Sequence, residues 1–388
     1  MFQKILVTPQ KSLSIRQDII DLVDLMLYFD EVHMIVPYGM FYNLFNAFSE
    51  KLLVHLLKSK RLFLHPTDST LGCNTTGTGV YGLTFVSHGW DDIHQLLYNF
   101  HRRIFVNNSI QNLKFADKFA PLLSTFEYSR DIGIGIYDDL RNPDYFRKIT
   151  ELYLSLHFPE YVQKDKLRID IELTESDAFP DAFKIHSNID VNQLTAIRAC
   201  KGIKESFDYY PLLLDLANAR TELCLAGQFE SELNSVSDEA KYIKLLINEN
   251  LKRANQSINN INAFQKHVLF DSLSIGEAYV EKVISEEELV SVLTNAEQFR
   301  NWLSNLPTDS DLIAEYIKEI SKKTLADNPL LKWGRALICN LFGLIPGIGP
   351  VIGTALSGLD MLYGDKILSG WRPNIFVDDL KETIKRKR

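Results

Sequence analysis

The chain has 388 residues, 46% hydrophobic and 24% charged, which excludes a collagen-like or low-complexity polymer and predicts a globular protein of two or three domains. Its 42 Lys and Arg against 50 Asp and Glu leave a net charge of −8, which argues against nucleic-acid binding over the whole surface. The four cysteines, Cys73, Cys200, Cys224 and Cys339, form no CxxC pair and no zinc-finger spacing, so a reducing cytoplasm suits them better than a disulfide framework.

The N-terminal MFQKILVTPQ reads as a strand and lacks the long apolar run and small-residue cleavage site of a secretory signal. Residues 1–65 read as β-α-β-α-β. Phe2 to Thr8 is the first strand, and Ser14 with Gln17 forms a capping box that opens a helix. Ile15, Ile19, Leu22, Val23 and Met26 follow the helical period in it. Val32 to Val36 is a second strand, Met40 to Ser59 a second helix, and Arg61 to His65 a third strand. Such alternation predicts a mostly parallel sheet with helices covering its faces.

Leu71 to Gly82 reads as a Gly/Thr-rich loop, followed by a strand at Leu83–Ser87 and helical patterns over 90–104 and 110–129. Ile132, Ile134 and Ile136 alternate with Gly133 and Gly135, the pattern of a buried strand near a close backbone approach. Asn142 and Pro143 mark a helix start. Residues Leu167 to Leu173 alternate as a strand with one wet face, and Phe183–Ser187 is its expected partner. Beyond Asp190 nearly every stretch reads as helix, including a second capping box at Ser285 and Glu288. The expectation is an α/β domain over 1–190 and an all-α domain over 191–388.

The segment Ala336 to Leu368 stands apart, because no charged residue occurs between Arg335 and Asp360. Pro346 and Pro350 bracket Gly347 and Gly349, which predicts two short helices joined as a hairpin rather than one spanning helix. Gly343 with Gly347 and Gly349 with Gly353 form GxxxG pairs, and Gly358 follows; such spacing lets helix backbones approach closely. Trp371 and the basic tail Lys385, Arg386, Lys387 and Arg388 lie beyond it, a combination suited to a membrane–water boundary. The expected occupant of the hairpin is a membrane surface, a partner helix or a second copy of the chain; burial as core is the alternative.

Candidate chemistry is sparse, and no cofactor is expected. Gly77, Gly79 and Gly82 match GxGxxG, but between a polar loop and a strand rather than between a strand and a helix, so a dinucleotide fingerprint fails on context. Kinase and Walker motifs are absent from the sequence. Asp91, His94, Tyr98 and His101, with His88 just before, share one stripe of a helix and form the best metal or acid–base cluster. Asp170 and Glu172 share a strand face, with Glu175 and Asp177 following, and paired carboxylates of this kind can hold Mg²⁺ for phosphodiester cleavage. Cys73 with His65 and His88 is a weaker nucleophile arrangement. Glu222, Glu230, Glu232, Asp238, Glu239 and Glu249 read as a solvated acidic helix face, and Phe264, Phe270, Phe299 and Trp302 as helix-packing residues.

The opening β-α-β-α-β resembles, in element order, the start of the PIN-like ribonucleases. That family places an acid at the end of its first strand, where this chain has Thr8 and Pro9; Glu50, Asp91, Asp92 and Asp117 would supply later acids. The leading expectation is a non-enzymatic interaction or effector protein, of a layout suited to bacterial stress or phage defence. A metal-dependent nuclease or phosphohydrolase and a purely structural subunit are the alternatives.

Overall fold

The computed structural model describes residues 2–8, 15–67, 69–76, 79–87, 89–90, 92–104, 108–124, 126, 128, 130–175, 181–234, 260–266, 268, 273–307, 311–321 and 373–385. They fall into two compact units, one of residues 3–256 and one of residues 257–388 with the first two residues.

The first unit opens with β1 (Lys4–Val7), α1 (Ile15–Tyr28), β2 (Glu31–Val36), α2 (Tyr38–Ala47), α3 (Glu50–Lys58) and β3 (Leu62–Pro66), the alternation expected from the sequence. The helix expected over 40–59 is two helices. Phe48 turns extended at φ −117°, and the Ser49 side chain accepts the Leu52 N–H at 3.1 Å to start α3. Ser14 lies outside the described residues, and Gln17 donates to Asp21 one turn on, at 2.7 Å.

The stretch read as a Gly/Thr-rich loop is largely a hairpin of β4 (Ser69–Thr75) and β5 (Val80–Ser87). Leu71 and Cys73, and Tyr81 and Leu83, alternate toward the core with Gly72 and Gly82 between them, and Thr70, Thr75 and Thr84 suit a pleated strand. Gly79 sits at φ +76° beside the turn, where a side chain would be strained. Helices α4 (Ile93–Ile104) and α5 (Ser109–Phe119) follow.

The Ile/Gly alternation forms no strand. It lies in helix α6 (Arg130–Arg141), where Ile132, Ile136 and Leu140 are buried at helical spacing and Ile134 is 52% exposed. An i, i+2, i+4 pattern contains an i, i+4 pair, so one short run satisfied both periods. No close backbone approach accompanies it: a methyl group on Gly135 would meet only the Arg220 side chain, at an ordinary 3.4 Å, and one on Gly133 would meet nothing within 4 Å. Helix α7 (Pro143–His157) starts as expected, with the Asn142 side chain accepting the Tyr145 N–H at 3.1 Å.

Strands β6 (Ile169–Leu173) and β7 (Phe183–Ser187) pair antiparallel, then come α8 (Val191–Cys200), α9 (Tyr210–Gln228) and β8 (Glu232–Asn234). The mostly parallel sheet is corrected to two sheets. One is parallel, ordered β3-β2-β1-β8; the other is antiparallel, ordered β4-β5-β7-β6. The turn to helices near residue 190 is also not the edge of the compact unit. α8 and α9 lie within residues 3–256, and β8 returns to pair with β1, so the region after 190 is not all helix.

One apolar core joins Leu6 and Ile35 of the parallel sheet to Phe183 and Ile169 of the antiparallel one through α6, α7 and α9. Helix α9 is tied to α6 by an ion pair: Arg220 Nε donates to Asp139 Oδ2 at 2.7 Å, and its Nη2 donates to Oδ1. Among the described residues, 257–388 contributes helices α10 (Ile275–Val280), α11 (Glu286–Asn295), α12 (Glu297–Ser304), α13 (Leu312–Ser321) and α14 (Pro373–Lys385). The Ser285–Glu288 capping box is present at α11. Phe264, Phe299, Trp302, Tyr316 and Phe376 pack their rings together, as expected of the first three; Phe270 lies outside the described residues.

Candidate functional site

Strand β1 runs between β2 and β8, both parallel to it. The chain moves from β1 outward through β2 to β3, then crosses back to place β8 on the other side of β1. Such a reversal of strand order opens a crevice outside the carboxyl ends of the strands, the usual ligand position in open α/β sheets. Val7 ends β1, and Thr8 stands at that edge. Thr8 Oγ1 donates to Glu222 Oε1 at 2.8 Å.

Glu222 corrects a sequence expectation. The sequence places it on a solvated acidic face, yet only 7% of it is exposed. Helix α9 is apolar nearly all round, with Leu212, Leu213, Leu216, Ala219, Leu225 and Ala226 also buried, so its polar positions are carried inside too. The available signal was apolar residues on every side of that helix, Leu212 to Leu214 at its start and Leu223 to Ala226 around its end being separated by only a few polar positions. Thus the end of β1, which carries no acid of its own, meets one from α9. Burial and the Glu222 charge push the nearby Tyr128 phenol up to about 12. Helix α1 leaves from the same end of the sheet, and burial together with Asp21 pushes the Asp18 carboxyl in its first turn up to about 6.

A second polar group lies beneath α9 on the same sheet. His33 of β2 stands level with Phe63 of β3, and His65 with Ile35, so the two histidines are diagonal neighbours on one face. His33 Nδ1 lies 3.0 Å from His65 Nε2, and His33 Nε2 lies 3.1 Å from Glu31 Oε2. Both histidines are 8% exposed, and the Phe229 ring that caps α9 covers them. Burial chiefly, then the neighbouring His33, lowers His65 to about 4, against the opposing pull of the Ser124 backbone. Burial also lowers His33, against the opposing pull of Glu31. These histidines were missed as a pair. Their signal was a polar ring inside each of two otherwise buried parallel strands, EVHMIV and LFLHP.

Among the described residues, the other predicted positions do not converge in one cleft. His94 Nε2 pairs with Asp117 at 2.8 Å, whereas His101 Nδ1 pairs with Asn112 at 2.7 Å and stacks on Phe115. Asp91 and His88 lie outside the described residues. Asp92 accepts the Gln95 N–H at 2.7 Å at the start of α4, and Glu50 pairs with Lys118 at 2.5 Å. Asp170 and Glu172 are exposed on β6, with Glu172 bonded to His186 at 2.7 Å, the wet face expected of that strand. Cys73 is buried, while the His65 ring faces His33 and Ser124. Among the described residues no group of three or more His, Cys, Asp or Glu is placed to hold a metal ion.

The hairpin residues Gly343, Pro346, Gly347, Gly349, Pro350, Gly353 and Gly358 lie outside the described residues, as do Arg386, Lys387 and Arg388. Lys385 ends α14. Among the described residues no helix is long and apolar enough to cross a membrane. Comparisons with protein-family models, characterised proteins and solved structures found no match, the PIN-like ribonucleases included.

Proposed function

We propose that the chain is a non-enzymatic binding and effector protein whose α/β unit takes a small polar ligand at the carboxyl end of the parallel sheet. The observation that carries this reading is the Thr8–Glu222 pair at the reversal of strand order. The acids there, Glu222 and those opening α1, favour a neutral or cationic ligand with hydroxyl or amino donors; a phosphate would meet like charge. Thermal-shift and calorimetric titration with nucleosides, amino sugars and polyamines tests it. One of these classes is expected to raise the melting temperature. At 100 times its dissociation constant a ligand stabilises by about 2.7 kcal/mol. Glu222→Gln keeps an acceptor for Thr8 but removes the charge, and is expected to weaken binding at least tenfold. No shift with any of the three classes would end the reading.

The effector half of the proposal rests on the uncharged run between Arg335 and Asp360 and the basic tail beyond it. The expected result is flotation of the purified chain with anionic liposomes, lost in a folded Gly347→Leu/Gly353→Leu variant. A wild-type chain that stays at the bottom with excess vesicles would reassign the segment to a protein partner or to the core.

A further inference from the structure

We propose that the α/β unit carries a second binding site, a cleft between α7 and the loop before β6 that takes a free α-amino acid with a bulky apolar side chain. Glu151, Leu154, Ser155 and Phe158 recur at i, i+3, i+4 and i+7, so they form one stripe of α7 and its C-cap. The loop of residues 159–167 lines the other side of a cavity of about 470 Å³ along this stripe. Small-molecule sites usually enclose about 300–1,000 Å³. The loop is tied elsewhere rather than free to close on the helix. The Tyr161 hydroxyl donates to Gln163 Oε1 at 2.6 Å and accepts the Asp190 N–H at 3.0 Å. Gln163 Nε2 donates to the Asn188 carbonyl at 3.4 Å. Asn188 Nδ2 donates to the Lys166 carbonyl at 3.1 Å, and its Oδ1 accepts the Arg168 N–H at 2.8 Å. Both ends of the loop are therefore held by the turn between β7 and α8. Walls ordered before binding spare a ligand the entropy of ordering them.

The floor and the rim of the cleft differ in chemistry. Leu154, Phe158 and Leu167 form the floor; they belong to the apolar core and are 3–6% exposed. Glu151, Asp165 and Lys166 line the same cavity and are exposed to water. Glu151 makes only a long surface pair with Arg147, at 3.4 Å, and the neighbouring Glu160 is matched by Lys201 at 3.1 Å. The rim thus sets carboxylates and an ammonium above an apolar floor. A simple anion would meet like charge from Glu151 and Asp165. A wholly apolar ligand would strip water from the rim charges without replacing it. A zwitterion meets both signs: Glu151 or Asp165 accepts from its ammonium, Lys166 donates to its carboxylate, and its side chain rests on Leu154 and the Phe158 ring. None of these residues belongs to the crevice at the end of β1, so the two sites stand or fall separately.

Calorimetric titration and saturation-transfer NMR on the full chain, with L-phenylalanine and L-leucine as probes, test the proposal. Both are expected to bind at millimolar concentration or below, and glycine, which lacks the side chain, is not. Phenethylamine lacks the carboxylate and N-acetylphenylalanine lacks the ammonium; each is expected to bind about tenfold more weakly, the usual worth of one charge-assisted hydrogen bond. Lys166→Gln, at an exposed loop position, is expected to weaken L-phenylalanine about tenfold and to leave phenethylamine unchanged. Ser155→Trp, at an exposed position on the cavity wall, is expected to abolish binding while the circular dichroism spectrum stays that of the wild type. Glu222→Gln is expected to change nothing here. Absence of binding by both amino acids, binding that survives Ser155→Trp, wild-type affinity for L-phenylalanine in Lys166→Gln, or equal affinity for phenethylamine would each overturn it.

Discussion

Asp139→Ala is expected to destabilise the α/β unit by about 3–5 kcal/mol, the usual effect of stripping one partner from a buried ion pair. Asp139 is 6% exposed, and both of its carboxylate oxygens accept from Arg220. Burial pushes the Asp139 carboxyl up and Arg220 only partly offsets this, so the pair stabilises little by itself. Breaking it is another matter, because the guanidinium left behind has no carboxylate and lies against Gly135, where α6 and α9 meet. The Tyr145 hydroxyl, buried beside the pair, makes no hydrogen bond to any described residue and offers only a neutral replacement. Thermal unfolding would read a drop of roughly 6–20 °C, at about 2–4 °C per kcal/mol for a unit of this size. Replacing both partners with apolar residues, as in Asp139→Leu/Arg220→Met, is expected to cost much less. A loss below about 1 kcal/mol in Asp139→Ala would show that water solvates the pair.

Acid is expected to weaken the same unit through His65, by about 3 kcal/mol between pH 7 and pH 4. The folded value near 4 lies below the unfolded value of 6.5, so between them the unfolded chain holds a proton that the folded chain does not. The stability is therefore full above pH 6.5 and is lost as pH falls toward 4. His33, also lowered by burial, acts in the same direction. Urea unfolding at several pH values would show the slope, and His65→Gln, which can bond but not titrate, is expected to flatten it. Equal slopes in the two proteins would assign the acid sensitivity to carboxylates elsewhere.

Much of the local structure was legible because its causes are local. The caps at Asn142 and Ser285 bond to backbone within three residues, and they lie where the sequence placed them. The opening alternation was legible because parallel strands with covered faces need continuous apolar runs. The Ile/Gly stretch was misread because its length could not separate a period of two from one of 3.6. The Leu83–Ser87 strand was legible, but the rest of the hairpin at 69–87 was missed because glycine and threonine hid a period-two pattern that Cys73, Tyr81 and Leu83 in the core reveal. Of the candidate site, Thr8 was noticed only as a missing acid. Glu222 lies 214 positions away in sequence, and no spacing rule connects residues so far apart.

By itself the sequence determined the kinds of element, most of their starts, and the separation of an α/β opening from a helical remainder, since periodicity and capping act over a few residues. It also marked out the uncharged run near the C-terminus by composition alone. Only the tertiary structure decided that β8 returns to β1, that a buried acid from α9 completes the end of that strand, and that two histidines 32 positions apart meet under Phe229. The physical reason is that strand order and side-chain encounters are set by which faces must be buried together. That is a property of the whole packed chain rather than of any window along it.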